Sequence, residues 1–291
     1  MAAAVSIEPV RTVSRARRLK NSAFTWLLWL CTGVALVPLL FIVAYVLRKG
    51  IAALDVAFFT RTALPAGLPG GGMLQAFIGS GIIMAFAILF SVPLGVLTGL
   101  YLSEFATGRA ASIVRFVAEI LLSTPSIVAG AFVWALVVVA LRSFSALAGG
   151  IALTVLMWPI IARATEEVLR LVPDELREGA LALGVPRWKV VLRIVLPTAG
   201  AGVFTAIMLA VARGLGETAP ILLTSLGNDF VNTNPLAPTD AVPLRVYFYA
   251  QTPFDTWKTL AWGGALMLLL AVLALSITAR VLSNRQVKRT A

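Results

Sequence analysis

Long apolar stretches alternate with short polar ones along the whole chain. Six of them, residues 24–47, 73–102, 112–141, 146–163, 199–226 and 257–282, carry almost no charge in their interiors. A helix needs about 20 apolar residues to cross a hydrocarbon layer roughly 30 Å thick, so each stretch predicts one transmembrane helix. Between them lie polar turns at 103–115 and 171–197 and two loops rich in Pro, Gly and Asn at 60–72 and 227–255. Residues 242–249 mix apolar and aromatic side chains within the second of these loops, which predicts a segment resting at the membrane interface. The third stretch holds Ser123-Thr124-Pro125-Ser126 near its middle. Proline removes a backbone donor and kinks a helix, so a kinked span is expected there.

Charge then orients the spans. Arg11, Arg15, Arg17, Arg18 and Lys20 precede the first span, and Arg280, Arg285, Lys288 and Arg289 follow the last. The turns at 103–115 and 171–197 are basic as well, whereas the opposite side holds only Arg48, Lys49, Arg61, Arg142, Arg245 and Lys258. By the positive-inside rule both termini and the 171–197 loop face the cytoplasm. The expected fold is thus an all-α polytopic membrane protein with six transmembrane helices and cytoplasmic N- and C-termini. The first apolar run is too long for a signal-peptide core of about 7–15 residues and is read as an uncleaved span.

Composition agrees: 59% of the 291 residues are hydrophobic and 13% are charged. A net charge of +11 would suit nucleic acid, but the basic residues flank apolar spans and point instead to membrane lipid. No histidine is present and the one cysteine, Cys31, lies within an apolar run, so no metal site or disulfide is expected. No G-x-x-x-x-G-K-[ST] run exists to cradle nucleotide phosphates. Neither a catalytic residue nor a cofactor is expected in this chain.

The loop 171–197 is the densest charged run. Pro173 suits the opening of a helix, Asp174 and Glu175 complement its dipole, and Gly184 followed by Pro186 ends it. Leu176, Ala180 and Leu183 share a face. A helix this short is marginal alone in water, and Gly179 weakens it by about 1 kcal/mol relative to Ala. It is therefore expected either to dock on a partner or to lie as an amphipathic loop on its own bundle. A second candidate is the run Val211–Pro220 on the fifth span. Arg213 and Glu217 stand four apart and can pair, with Gly214, Gly216 and Pro220 loosening the backbone around them. Either the pair only neutralises itself, or the arginine fork receives an oxyanion. In the latter case Glu217 would accept a proton from partly protonated phosphate and repel sulfate. Thr218 adjoins the pair. Arg163 is a further candidate for the path or a snorkelling arginine, and Thr124 and Ser126 can lend hydroxyls at the third-span break.

Glu178, Ala180, Gly184, Ile194, Leu196 and Pro197 follow E-x-A-x-x-x-G-x(9)-I-x-L-P and resemble the EAA loop of ABC-importer permeases. Gly179 departs from that pattern. The run ARGLGETAP, together with VPLGVLTGLYLSEFAT, TPSIVAG and RATEEVLRLVPDELREGALALG, is similar to the A-type permeases of phosphate importers. The resemblance implies a MetI-like ABC permease fold in a bacterial inner membrane. It divides the chain into a basic arm (1–23), a first span with its external loop (24–72), a permease core (73–282) and a basic tail (283–291). It implies a homologous C-type permease as heterodimer partner, two cytoplasmic ATPase subunits that bind the ATP, and an extracytoplasmic phosphate-binding protein. Arg213, Glu217 and Arg163 then match positions in the translocation path. Glu178, Gly179, Ala180, Leu183, Gly184 and Pro186 match the helix that couples to the ATPase. A permease of the same fold for sulfate or molybdate, and an ATP-independent secondary transporter, remain as alternatives.

Overall fold

A computed structural model describes residues 15–290, the side chains of Ala16 and 283–290 excepted. Most of the basic N-terminal arm, including Arg11, and the side chains of the tail's Arg285, Lys288 and Arg289 lie outside the described residues. Residues 1–48 and 49–291 form two units. The first is occupied by α1 (Arg15–Gly50), a helix with Pro38 inside it.

The second unit follows a short 3-10 turn with α2 (Val56–Thr60) and α3 (Leu74–Leu100), which closes in a wide π turn over Tyr101–Phe105. Next come α4 (Gly108–Ser123), α5 (Ser126–Val133), a π turn at Trp134–Val138 and α6 (Val139–Leu141). α7 (Ala146–Arg170) leads to α8 (Asp174–Ala182) and α9 (Arg187–Val190). A third π turn, Val191–Val195, joins α9 to α10 (Leu196–Leu215). α11 (Ala219–Thr224), α12 (Val242–Ala250) and α13 (Asp255–Thr290) complete the chain.

Among the described residues, five helical stretches are long and apolar enough to cross a membrane: Arg17–Ala53, Leu74–Phe105, Ala146–Arg170, Arg187–Leu215 and Asp255–Leu282. The expected third span is the exception. Its two halves, Gly108–Ser123 and Ser126–Leu141, meet at 109°, so the count reaches six only if this bent pair is one span. A plain kink was too mild an expectation. Thr124 and Pro125 are both extended (ψ 131° and 135°), so the helix stops and restarts instead of bending. The fifth span is also corrected: it begins at Arg187 and ends at Leu215, with α11 following a break at Gly216–Thr218.

Small residues let the helices of the second unit approach closely, the usual device where lipid offers no hydrophobic drive to associate. A Cβ on Gly95 would stand 2.6 Å from the Ile161 Cβ, and one on Gly99 2.6 Å from the Thr165 Cβ, so α3 and α7 interlock as backbones. Trp158 adds a hydrogen bond from its indole N–H to the Thr98 hydroxyl at 3.1 Å. Ile83, Met84, Leu153, Met157, Val211, Ile221 and Leu244 fill the space between α3, α7, α10, α11 and α12.

The interface segment expected at 242–249 proves to be α12, with Val242, Leu244, Arg245 and Tyr249 all buried. Val242 and Tyr249 pack with Phe58, Met73 and Ala261, while Tyr247 and Phe248 stay exposed. Arg245 goes inside because Asp240 goes with it: Nε donates to Oδ2 at 2.6 Å and Nη1 to Asp229 Oδ1 at 2.6 Å.

Candidate functional site

Arg213 occupies the last turn of α10, where the negative end of the helix dipole favours a cation. Its neighbours Ala210, Val211, Ala212 and Gly214 are buried, while its own side chain is 56% exposed and turns away from the subunit's core. The depth of this residue follows from Gly214. A Cβ there would stand 2.9 Å from the Met157 Sδ, and Met157 falls halfway along the 25 residues of α7. Helix α10 therefore ends in the middle of the bundle. Broken helices at that depth persist only where protein or a water-filled cavity satisfies the freed backbone.

The break is well satisfied. The amides of Gly216 and Glu217 donate to the Arg213 and Gly214 carbonyls at 3.1 and 3.2 Å. The backbone donors of Gly216 and Glu217 are thus occupied in a tight closing turn. Glu217 does pair with Arg213, by a single Nε–Oε1 approach of 3.5 Å. The pair spans the helix end, because α10 stops at Leu215, before Glu217. Among the described residues the two Nη groups of Arg213 have no other acceptor, so most of the fork is open. A loose, half-exposed pair of this kind is worth less than about 1 kcal/mol and is readily exchanged for another anion.

The helices that follow the two breaks meet. A Cβ on Gly130 of α5 would be 2.6 Å from the Pro220 Cα, so α5 and α11, each the restart of a broken helix, pack backbone to backbone. Thr124 donates its hydroxyl to the Ile120 carbonyl at 2.7 Å and thereby ends α4. Neither Thr124, Ser126 nor Thr218 hydrogen-bonds to Arg213 or Glu217. Arg163 is farther off, roughly 9 Å along α7 from Met157 at 1.5 Å per residue. It is held by Glu166 at 3.1 Å and Glu119 at 3.6 Å. Glu166, only 2% exposed, also binds Arg115 at 2.7 Å and Arg170 at 2.6 Å.

Within the loop 171–197 the expected short helix forms, while residues 187–197 continue into the fifth span. Pro173 precedes α8, Asp174 and Glu175 fill its first turn, and Gly184 takes φ +77°. Gly184 donates to the Leu181 carbonyl at 2.9 Å and Val185 to the Ala180 carbonyl at 3.2 Å, the paired bonds of a Schellman stop. Pro186 then opens α9. Of the apolar face, only Ala180 is buried in the chain's own core, against Leu169, Val172 and Val190. Leu176 and Leu183 are 45% and 85% exposed, and Glu178 and Gly179 are exposed beside them. The helix does not bury itself on its own bundle.

Two substitutions separate these roles. A Cβ on Gly179 meets nothing within 4 Å, so Gly179→Ala is expected to stabilise α8 by about 1 kcal/mol through helix propensity alone. Gly184→Ala forces a side chain into the left-handed region at a cost of about 1–2 kcal/mol. Thermal unfolding of the purified protein should rise slightly in the first and fall in the second.

Sequence reasoning overlooked the groups that bind this loop to the bundle. The Arg177 guanidinium reaches both oxygens of Glu104, at 2.9 and 3.3 Å. Arg187 donates to the Glu104 carbonyl and lies over the Phe105 ring, 5.4 Å from its centroid. The available signal was opposite charge: Glu104 and Arg177 fall on turns that the basic-residue bias assigns to one side.

Comparison with known proteins agrees with this architecture. Residues 91–290 match the family of binding-protein-dependent transport system inner membrane components. The chain is 42% identical over 282 residues to the phosphate transport system permease protein PstA of Yersinia pestis, covering 96% of this chain and 95% of that protein. It is also 42% identical over 266 residues to PstA of Haemophilus influenzae, covering 91% and 94%. Among solved structures, a bacterial alginate ABC transporter superposes with a TM-score of 0.61 at 13% identity over 92% of this chain and 96% of that one. The inward-facing MetNI methionine ABC transporter gives 0.56 at 19% identity over 73% and 94%. With its broken helices, its α8 loop and these likenesses along nearly its whole length, the chain belongs to the binding-protein-dependent transport system inner membrane components and, within them, to the PstA permease family.

Proposed function

We propose that the chain is the transmembrane permease subunit of an ATP-driven importer of inorganic phosphate, forming half of the translocation pathway. The observation that carries this reading is 42% identity along 96% of the chain to a phosphate transport permease. The open fork of Arg213 at a mid-depth helix break supports it, since a planar guanidinium offers two parallel hydrogen bonds to an oxyanion. Arg213 faces out of the subunit, which suits a pathway shared with a homologous C-type permease. The exposed apolar face of α8 suits docking in a groove on a cytoplasmic ATPase. Two such ATPases bind and hydrolyse the ATP, and an extracytoplasmic binding protein delivers phosphate. The chain itself is not a catalyst.

Transport then follows from a two-state equilibrium that the ATPases bias. ATP draws the ATPases together, α8 moves with them, and the spans open outward. Phosphate released from the binding protein meets Arg213 and displaces Glu217 from it. Hydrolysis returns the inward-open state. Co-expression with the C-type permease and the ATPase, followed by uptake of labelled phosphate into vesicles, tests the reading. ATP-dependent accumulation stimulated by the phosphate-binding protein is expected. Uptake driven by an ion gradient in the chain alone, or stimulation only by sulfate, would overturn it.

A further inference from the structure

Very little joins α8 to the rest of the subunit. Of its nine residues only Ala180 is buried. Beside that small apolar contact stands one guanidinium. Arg177 donates through Nε and Nη2 to the two Glu104 oxygens, through Nη2 to the Leu169 carbonyl at 2.8 Å, and through Nη1 to the Val172 carbonyl at 2.5 Å and Asp174 at 2.9 Å. Its hydrogen bonds to Glu104 raise its pKa above the ordinary arginine value although burial opposes them, so it stays charged at any physiological pH.

The far ends of these bonds are not on one element. Leu169 lies in the last turn of α7 and Val172 just past it, whereas Glu104 lies in the π turn that ends α3. The Glu104 side chain is 6% exposed and accepts a further hydrogen bond from the Ser103 hydroxyl at 3.2 Å. α3 and α7 are the pair whose glycines interlock, so a push on Arg177 acts on both helices as one body. The nearby Glu166 cluster differs. Its arginines come from α4 and α7 alone, and it does not touch α8.

Resting on the importer reading above, we propose that Glu104 and Arg177 form a strut that passes movement of α8 into the α3–α7 pair. Glu104 is thereby a positioning residue for coupling and not merely a fold anchor. Three facts support this. The fork is bidentate and so resists rotation as well as separation. The apolar contact in parallel with it is a single alanine. Glu104 is presented by a π turn, a local rewinding of the helix that recurs at functional sites.

The test uses the full reconstituted complex in proteoliposomes, with phosphate taken up per ATP hydrolysed as the readout and thermal midpoint and co-purified ATPase as controls. The variants are Glu104→Gln, Arg177→Lys and the double variant Glu104→Leu with Arg177→Met. The double variant packs the buried pair away with apolar groups, which often restores stability lost by breaking one partner. Glu104→Gln and the double variant are expected to assemble and hydrolyse ATP while phosphate per ATP falls at least about tenfold, an ordinary size for a coupling effect. Arg177→Lys keeps the charge, loses the fork and falls between them and wild type. Normal phosphate per ATP in the double variant would overturn the strut, and so would loss of the ATPase from every variant. A wild-type complex that hydrolyses ATP without taking up phosphate would overturn the importer reading, and this inference with it.

Discussion

Arg213→Ala is expected to lower ATP-dependent phosphate uptake about 100-fold or more while leaving the assembled complex intact. The size follows from what the side chain does. Losing a charge-assisted, forked contact to a desolvated anion costs about 2–5 kcal/mol, and 2.7 kcal/mol is already 100-fold. Assembly should survive because the arginine contributes little to folding: its side chain is more than half exposed and its one partner stands 3.5 Å away. Arg213→Lys keeps a point charge without the fork and should retain part of the activity. Glu217→Gln frees the fork yet removes the carboxylate that would repel a fully ionised anion, so sulfate should begin to compete with phosphate. Uptake assays with and without excess sulfate, alongside co-purification of the partners, read all three. Normal uptake by Arg213→Ala would reduce the pair to mutual neutralisation of two charges.

Much of this architecture was legible because its signals are local. An apolar run of the right length needs no partner to predict a span, and Pro173, Gly184 and Pro186 mark the ends of α8 by backbone chemistry alone. The breaks were less legible. Pro125 announces a disturbance, but whether a helix bends or restarts at 109° depends on what receives the second half, here the close packing of Gly130 on Pro220. The fifth span ends at Leu215 although apolar residues continue past it, because its end is set by the closing turn at Gly216 and by Met157 against Gly214. Ion pairs were the least legible of all. Glu104 and Arg177 lie 73 positions apart, and no periodicity joins them. Nothing local to Arg245 shows that its loop folds inward.

That inward fold has the largest expected effect on stability. Arg245 is buried with its guanidinium on Asp240, whose side chain is 0% exposed, and on Asp229, and it lies 5.3 Å from the centre of the Tyr249 ring. Gln75 ties the same carboxylate to the loop at 60–72, with its Nε2 on Asp240 at 3.5 Å and its Oε1 accepting from the Ala63 amide at 3.2 Å. Arg245→Met should therefore destabilise the folded protein by about 3–5 kcal/mol, because a buried carboxylate loses its countercharge. The paired change Arg245→Met with Asp240→Asn should recover most of this. Burial already pushes the Asp240 carboxyl from 3.8 up to about 6, against the opposing pull of Arg245. The folded state thus holds that proton more tightly than the unfolded chain does. Stability should fall as pH rises from about 4 to about 6, by an amount on the order of 3 kcal/mol, and stay level above that. Removing Arg245 shifts the carboxyl further upward, so acid should rescue the single variant over a wider range. Thermal midpoints of the detergent-solubilised complex at pH 4.5 and 7, compared with those of Asp240→Asn, isolate this slope from the other carboxylates. Equal slopes in the two proteins would mean that Asp240 is already solvated and that these two loops are held by packing alone.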